Sequence, residues 1–151
     1  MPSITIRPAT PDDIPHLVDW NVAMARETED KALDPAVLRR GVAAVLDEAR
    51  RGFYLVAESD GTAVGGLLVT YEWSDWRDGD FWWIQSVYVV PGARGRGVFR
   101  ALHAEVVRRA QAAGAVGVRL YVEVENDRAQ RVYAGLGMQR CHYHMYEQSL
   151  R

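Results

Sequence analysis

Cysteine occurs once in this 151-residue chain, at Cys141, and lysine once, at Lys31. A lone cysteine excludes an internal disulfide framework and fits a reducing compartment. No apolar run approaches membrane-spanning length, and the first eight residues carry no apolar signal core, so a cytoplasmic protein is expected. A dominant charge of one sign is also missing. With a net charge of −2, the chain offers no basic field to nucleic acid or to an anionic membrane. Linkers, repeats and low-complexity stretches are absent as well, so residues 1–151 read as one domain. What is present is 48% apolar residues, enough to bury a core.

Periodicity orders the chain into ten elements. Residues 3–8 alternate as a short strand. Thr10-Pro11-Asp12-Asp13 opens a helix, with Thr10 as cap and acid in the first turn, and Ile14, Leu17, Val18 and Ala25 form its apolar face. Asp34-Pro35 opens a second helix with Leu38, Val42, Val45, Leu46 and Ala49 on one side. Strands are expected at 53–58 and 63–73, joined by a Ser-Asp-Gly-Thr turn, and again at 81–90 after a polar loop. A glycine turn then leads into a helix that directs Phe99, Leu102, Val106, Ala110 and Ala113 inward. Residues 116–123 form a further strand, Asn126-Asp127 cap a short helix that Gly137 stops, and 138–147 form a last strand. The order β-α-α-β-β-β-α-β-α-β implies a mixed sheet with helices packed on it.

The run Ser86-Val-Tyr-Val-Val-Pro-Gly-Ala-Arg-Gly-Arg-Gly-Val-Phe99 places a strand, a glycine-arginine turn and a helix start in succession. Backbone N–H groups and arginines at a helix start form an anion site suited to a diphosphate. Arg100 stands where a dinucleotide fingerprint needs its third glycine, and no G-K-[ST] follows, so neither the Rossmann nor the Walker pattern fits. The turn instead resembles the Q/R-x-x-G-x-G/A segment of the GNAT superfamily of acetyl-CoA-dependent N-acetyltransferases. Arg94 takes its first position and Gly97 its fourth, while Phe99 replaces the usual glycine or alanine. A second stretch, from Asn126 through Ala129, Tyr133 and Gly137 to Met138, resembles the family's N-x-x-A-x-x-x-Y-x-x-x-G-F, with methionine in place of phenylalanine. The element order matches the family fold along essentially the whole chain.

That resemblance implies an α/β (α+β) domain whose mixed, mostly antiparallel sheet has one splayed strand pair and about four flanking helices. It implies that the edge of Val87, Tyr88 and Val89 receives the pantetheine of acetyl-CoA, much as a strand is added to a sheet. The diphosphate would lie on Gly95, Arg96, Gly97, Val98 and Phe99, with Arg94 or Arg96 adding charge and Asn126 on the other flank. Tyr133 would protonate the departing thiolate, and a backbone N–H, that of Val87, would polarise the carbonyl. Periodicity alone reads Tyr133 as a core residue, Val87 and Tyr88 as sheet packing, and Asn126 as a helix cap.

The base is less defined, because Trp82, Trp83, Ile84 and Gln85 stand where some relatives place a glutamate. Glu27, acting through water, is the reading adopted, with Glu29, Glu72 and Glu123 as further options and surface acids as the plain explanation for each. Trp20, Trp73, Trp76, Trp82 and Trp83 either pack the sheet or, with Glu72, Asp75, Asp78 and Asp80, surround a cationic amine. Cys141-His-Tyr-His144 lacks the four convergent ligands zinc wants, so no metal is expected, and its aromatics leave room for a homodimer through the C-terminal strands. The expected activity is acetyl transfer from acetyl-CoA to the primary amine of a small molecule. The rival reading is a non-catalytic acyl-CoA sensor.

Overall fold

The alternation of Phe53–Ser59 (β2) sorts the molecule into its two cores. Leu55 and Ala57 point to one side of the sheet, and Tyr54 and Val56 to the other. The computed structural model describes residues 3–151. Five strands lie in sequence order: β1 (Ile4–Pro8), β2, β3 (Thr62–Ser74), β4 (Gly79–Val89) and β5 (Gly117–Arg119). The first four pair antiparallel, and β5 joins β4 in parallel. The sheet is thus mixed and mostly antiparallel, as the sequence led us to expect.

Helix α3 (Val98–Ala112) covers one face, where Val98, Leu102, Val106 and Ala110 meet Leu55, Leu67, Val69, Trp82 and Ile84. Helices α1 (Ile14–Glu29) and α2 (Pro35–Asp47) cover the other, through Leu17, Val18, Trp20 and Val42 against Tyr54, Val56 and Tyr88. Leu55, Leu67 and Leu102 are fully buried; truncating such a leucine to alanine typically costs ~2–5 kcal/mol. Gly66 lets α1 come this close, since a Cβ there would stand 2.7 Å from the Leu55 carbonyl oxygen and 3.1 Å from the Trp20 ring.

Thr10 does not cap α1 directly. It precedes a 3₁₀ turn, Pro11–Asp13, and α1 begins at Ile14. Asp13, almost fully buried, accepts from the Arg7 guanidinium at 2.7 and 2.9 Å and from the Thr10 amide at 2.8 Å. The Arg7 hydrogen bonds hold its carboxyl below the usual range, and the corner between β1 and α1 closes around a satisfied charge.

The residues through Leu120 form one compact unit and Tyr121–Arg151 a second. Here the sequence reading needs correction. The strand expected over 116–123 pairs only at Gly117–Arg119, and residues 138–147, expected as a strand, form none. β-Branched residues and aromatics favour extended backbone, but a strand exists only where a partner supplies its hydrogen bonds. Within the second unit, α4 (Asp127–Gly135) is capped by Asn126, whose Oδ1 accepts from the Ala129 amide at 3.1 Å. Gly137, at φ 91°, follows its end.

Strand β4 carries one irregularity. Gly66 pairs with Tyr88 but Leu68 pairs with Gln85, so Leu67 alone opposes both Ser86 and Val87. Ser86 adopts φ 53°, the left-handed region. This bulge reverses the alternation: Trp82 and Ile84 face α3, while Tyr88 faces α1. A β-branched residue is strained at such a φ. Ser86→Val should therefore lower unfolding free energy in denaturant titrations by about 1–3 kcal/mol, whereas Ser86→Gly should not destabilise.

Candidate active site

Beyond Trp83, which pairs with Arg119, β4 and β5 no longer share a ladder. Among the described residues no strand pairs with the β5-side edge of β4 from Ile84 to Val89. Such an edge offers donors and acceptors to an extended amide-bearing guest. One acceptor is engaged internally: the Val89 carbonyl accepts from Arg94 Nε at 2.8 Å.

The chain leaves β4 through a 3₁₀ turn, Pro91–Ala93, and then the exposed segment 94–97. Gly95 and Gly97 take φ of 75° and 82°, and a Cβ at either would meet nothing within 4 Å. Backbone conformation, not crowding, asks for glycine there. Gly97 caps α3 without a side chain, and the first intrahelical bond runs from the Ala101 amide to the Gly97 carbonyl at 3.0 Å. The amides of the first turn thus point out of the helix end, an arrangement that attracts anions. Phe99 is partly buried against the α3-side core, its ring 6.2 Å from that of His103.

Tyr88, turned toward α1 by the bulge, donates its hydroxyl to Glu27 Oε1 at 2.9 Å. The other carboxylate oxygen of Glu27 accepts from Arg94 at 2.8 Å, and the Arg94 guanidinium lies 5.3 Å from the centre of the Tyr88 ring. One carboxylate thereby ties the last turn of α1 to both β4 and the glycine turn. Hydrogen bonds from Arg94, then from Tyr88, hold the Glu27 carboxyl below its ordinary value. Burial, and then the neighbouring carboxylate, push the Tyr88 phenol up. Arg96 is exposed on the turn. Val87 and Val89 pack partly buried on the α3-side core.

Tyr133 and Asn126 belong to the second unit. Tyr133 is half-buried on α4, and burial raises its phenol above the ordinary 10.0. Asn126 is the cap already described. Of the acids considered for the base, Glu72 accepts from Trp83 Nε1 at 2.8 Å and from Arg119 at 3.0 Å, so it joins β3, β4 and β5 across the sheet. The five tryptophans do not share one pocket: Trp20, on α1, is buried against the sheet, Trp83 is bonded to Glu72 and Trp76 is exposed in a turn, while Trp73 and Trp82 border one cleft on the α3 side. Cys141 is exposed, and among the described residues no three His, Cys, Asp or Glu side chains converge as a metal site. No described helix is long and apolar enough to cross a membrane.

Two features escaped the sequence reading. The left-handed Ser86 had as its signal only the polar pair Gln85-Ser86 inside an apolar run, and the Glu27–Arg94 pair spans 67 residues with no local signal.

Residues 14–138 match the model of the acetyltransferase (GNAT) family. Over 92 residues the chain is 41% identical to a mycothiol acetyltransferase of Frankia alni, a match covering 57% of this chain and 27% of that protein. It is 33% identical over 127 residues to an uncharacterized N-acetyltransferase of Mycobacterium tuberculosis, covering 84% and 68% of the two chains. The solved structure of a possible acetyltransferase from Clostridium difficile 630 superposes with a TM-score of 0.91 at 43% identity, covering 98% of each chain. The chain spans about a quarter of the length of the first curated relatives it matches.

The Glu27 tie carries a pH signature. A carboxyl held below its ordinary 4.5 contributes stability above that value and loses it as pH falls through the folded pKa. The stability difference between the wild type and Glu27→Gln, from denaturant titrations between pH 3 and 7, should be constant at neutral pH and shrink below about pH 4.5.

Proposed function

Because the chain belongs to the GNAT acetyltransferase family, we propose that it transfers an acetyl group from acetyl-CoA to a primary amine of a small molecule, and that the chain forms one such catalytic domain. The carrying observation is the unpaired edge of β4 running directly into an open, glycine-built helix start. The edge suits the pantetheine amides and the helix start suits the diphosphate. The space left where Cβ atoms would stand at Gly95 and Gly97 would let phosphate oxygens approach the backbone. In this reading Val87, Tyr88 and Val89 flank the pantetheine, Arg94 through Phe99 surround the diphosphate, and Asn126 adds the opposite flank while capping α4.

Acetyl-CoA supplies an activated acyl carbon. The amine nitrogen attacks it, the C–S bond breaks with its electrons on sulfur, and the thiolate takes the phenolic proton of Tyr133. A phenol raised by burial stays protonated through neutral pH and so remains available as an acid. The backbone N–H of Val87, beside the bulge, would polarise the thioester carbonyl. Glu27 holds Arg94 and Tyr88, and a carboxylate so engaged is a weak base. Its first part here is to position the turn, and it receives the amine proton only through water.

Thiol release from acetyl-CoA against a panel of amines, polyamines, amino acids and aminoglycosides tests this. Tyr133→Phe should lower kcat by about 10²–10⁴-fold with the KM for acetyl-CoA within about twofold. In the wild type the alkaline limb of kcat should lie above pH 10, because ionising Tyr133 removes the acid. A variant that turns over normally would remove Tyr133 from the chemistry. Thermal stabilisation by acetyl-CoA with no acceptor turned over would support the sensor instead.

A further inference from the structure

The face of the sheet under α3 holds a second concavity, at the opposite end of that helix from the glycine turn. Its floor is two cross-strand pairs, Tyr71 opposite Trp82 and Trp73 opposite Asp80. One wall is the Asp78–Gly79 end of the β3–β4 turn and the other is the connector 113–115, fixed by the Val116 amide donating to the Asp80 carbonyl at 2.9 Å. The cleft encloses about 430 Å³. Tyr71 and Trp82 meet edge to face at 5.6 Å, with Phe53 behind both, so the aromatic floor is rigid. Trp73 nonetheless leaves 61% of its surface exposed.

The charges lining this cleft have one sign. Asp78 and Asp80 border it, no Arg, Lys or His does, and among the described residues neither aspartate forms an ion pair. Helix α3 ends at the cleft, and the carbonyls of a C-terminal turn add partial negative charge. Asp80 also lies close enough to Tyr71 to help hold its phenol protonated, after burial. Aromatic faces beside unpaired carboxylates attract a cation that also carries apolar surface. A metal ion, held by its hydration shell, would gain little from the rings.

We propose that this cleft binds an organic ammonium ion, its alkyl groups over Trp73 and Tyr71 and its charge beside Asp80. The fifteen residues of α3 separate it from Gly97 by roughly 22 Å, so it is a second site and not the diphosphate end of the acetyl-CoA cleft. The proposal does not depend on acetyl transfer.

Isothermal titration of the full chain with choline, and with 3,3-dimethyl-1-butanol as its neutral isostere, tests it, with tryptophan emission as a second readout. Choline should bind saturably and about tenfold more tightly than the neutral isostere. Trp73→Ala and Asp80→Asn should each weaken choline by at least roughly tenfold. Trp76→Ala, an exposed tryptophan outside the cleft, should change nothing, and Asp80→Asn carries the test if Trp73→Ala does not fold. Absence of saturable choline binding, equal binding of the isostere, or equal losses in the Trp73 and Trp76 variants would overturn the proposal.

Discussion

The extra residue in β4 is the constraint on which the candidate active site depends. Without it, Tyr88 would share a face with Trp82 and Ile84, and its hydroxyl would point at the apolar underside of α3. With it, the phenol meets Glu27, and Glu27 in turn reaches Arg94. The cost is a serine in the left-handed region, of the order of 1–3 kcal/mol. The opposing strand accommodates it: Gly65 and Gly66 face Val89 and Tyr88, and a Cβ on Gly65 would come within 2.7 Å of the Tyr88 carbonyl oxygen. Bulge and glycine pair are two halves of one arrangement.

The end of the β4–β5 ladder falls in the same region. Their ladder stops at Trp83 and Arg119, where Glu72 gathers the indole N–H and the guanidinium into one cross-sheet tie. Arg119 also stacks on Phe81, 3.5 Å from the ring centre. The pairing is tied at that point, and β5 ends at Arg119. An open edge anchored beside this tie would need little ordering if an extended guest were added to it.

How much of this could be read from the sequence divides by range. Helices α1 to α4 and strands β1 to β4 were legible because periodicity, turn residues and caps act within a few positions: Asp34 caps α2 and Asn126 caps α4, each with its own side chain. The glycine turn and the Asn126–Met138 stretch were legible as family-like patterns. The short β5 and the strandless stretch 138–147 were not, because strand formation depends on a partner edge that local composition does not encode. Nor was the Glu27–Tyr88–Arg94 group, whose members lie on three elements and meet only after a register shift. Trp73, Trp76, Trp82 and Trp83 lie close in sequence, yet adjacent strand residues point to opposite faces, and Trp82 and Trp83 part company there.

The pairing of Arg94 with Glu27 also bears on how an anion is drawn to the glycine turn from a distance. A salt-bridged pair is a dipole, and its field falls away much faster than that of a single charge. For the proposed diphosphate, long-range attraction would therefore come chiefly from Arg96 and Arg100, both exposed, and salt would screen it over about 8–10 Å. Arg94 acts at short range, fixing the carbonyl end of β4 and the phenol of Tyr88. In the proposed reading, attraction and alignment at this turn fall to different arginines. Ionic strength should act on the rate at which an anion arrives far more than on the shape of the turn that receives it.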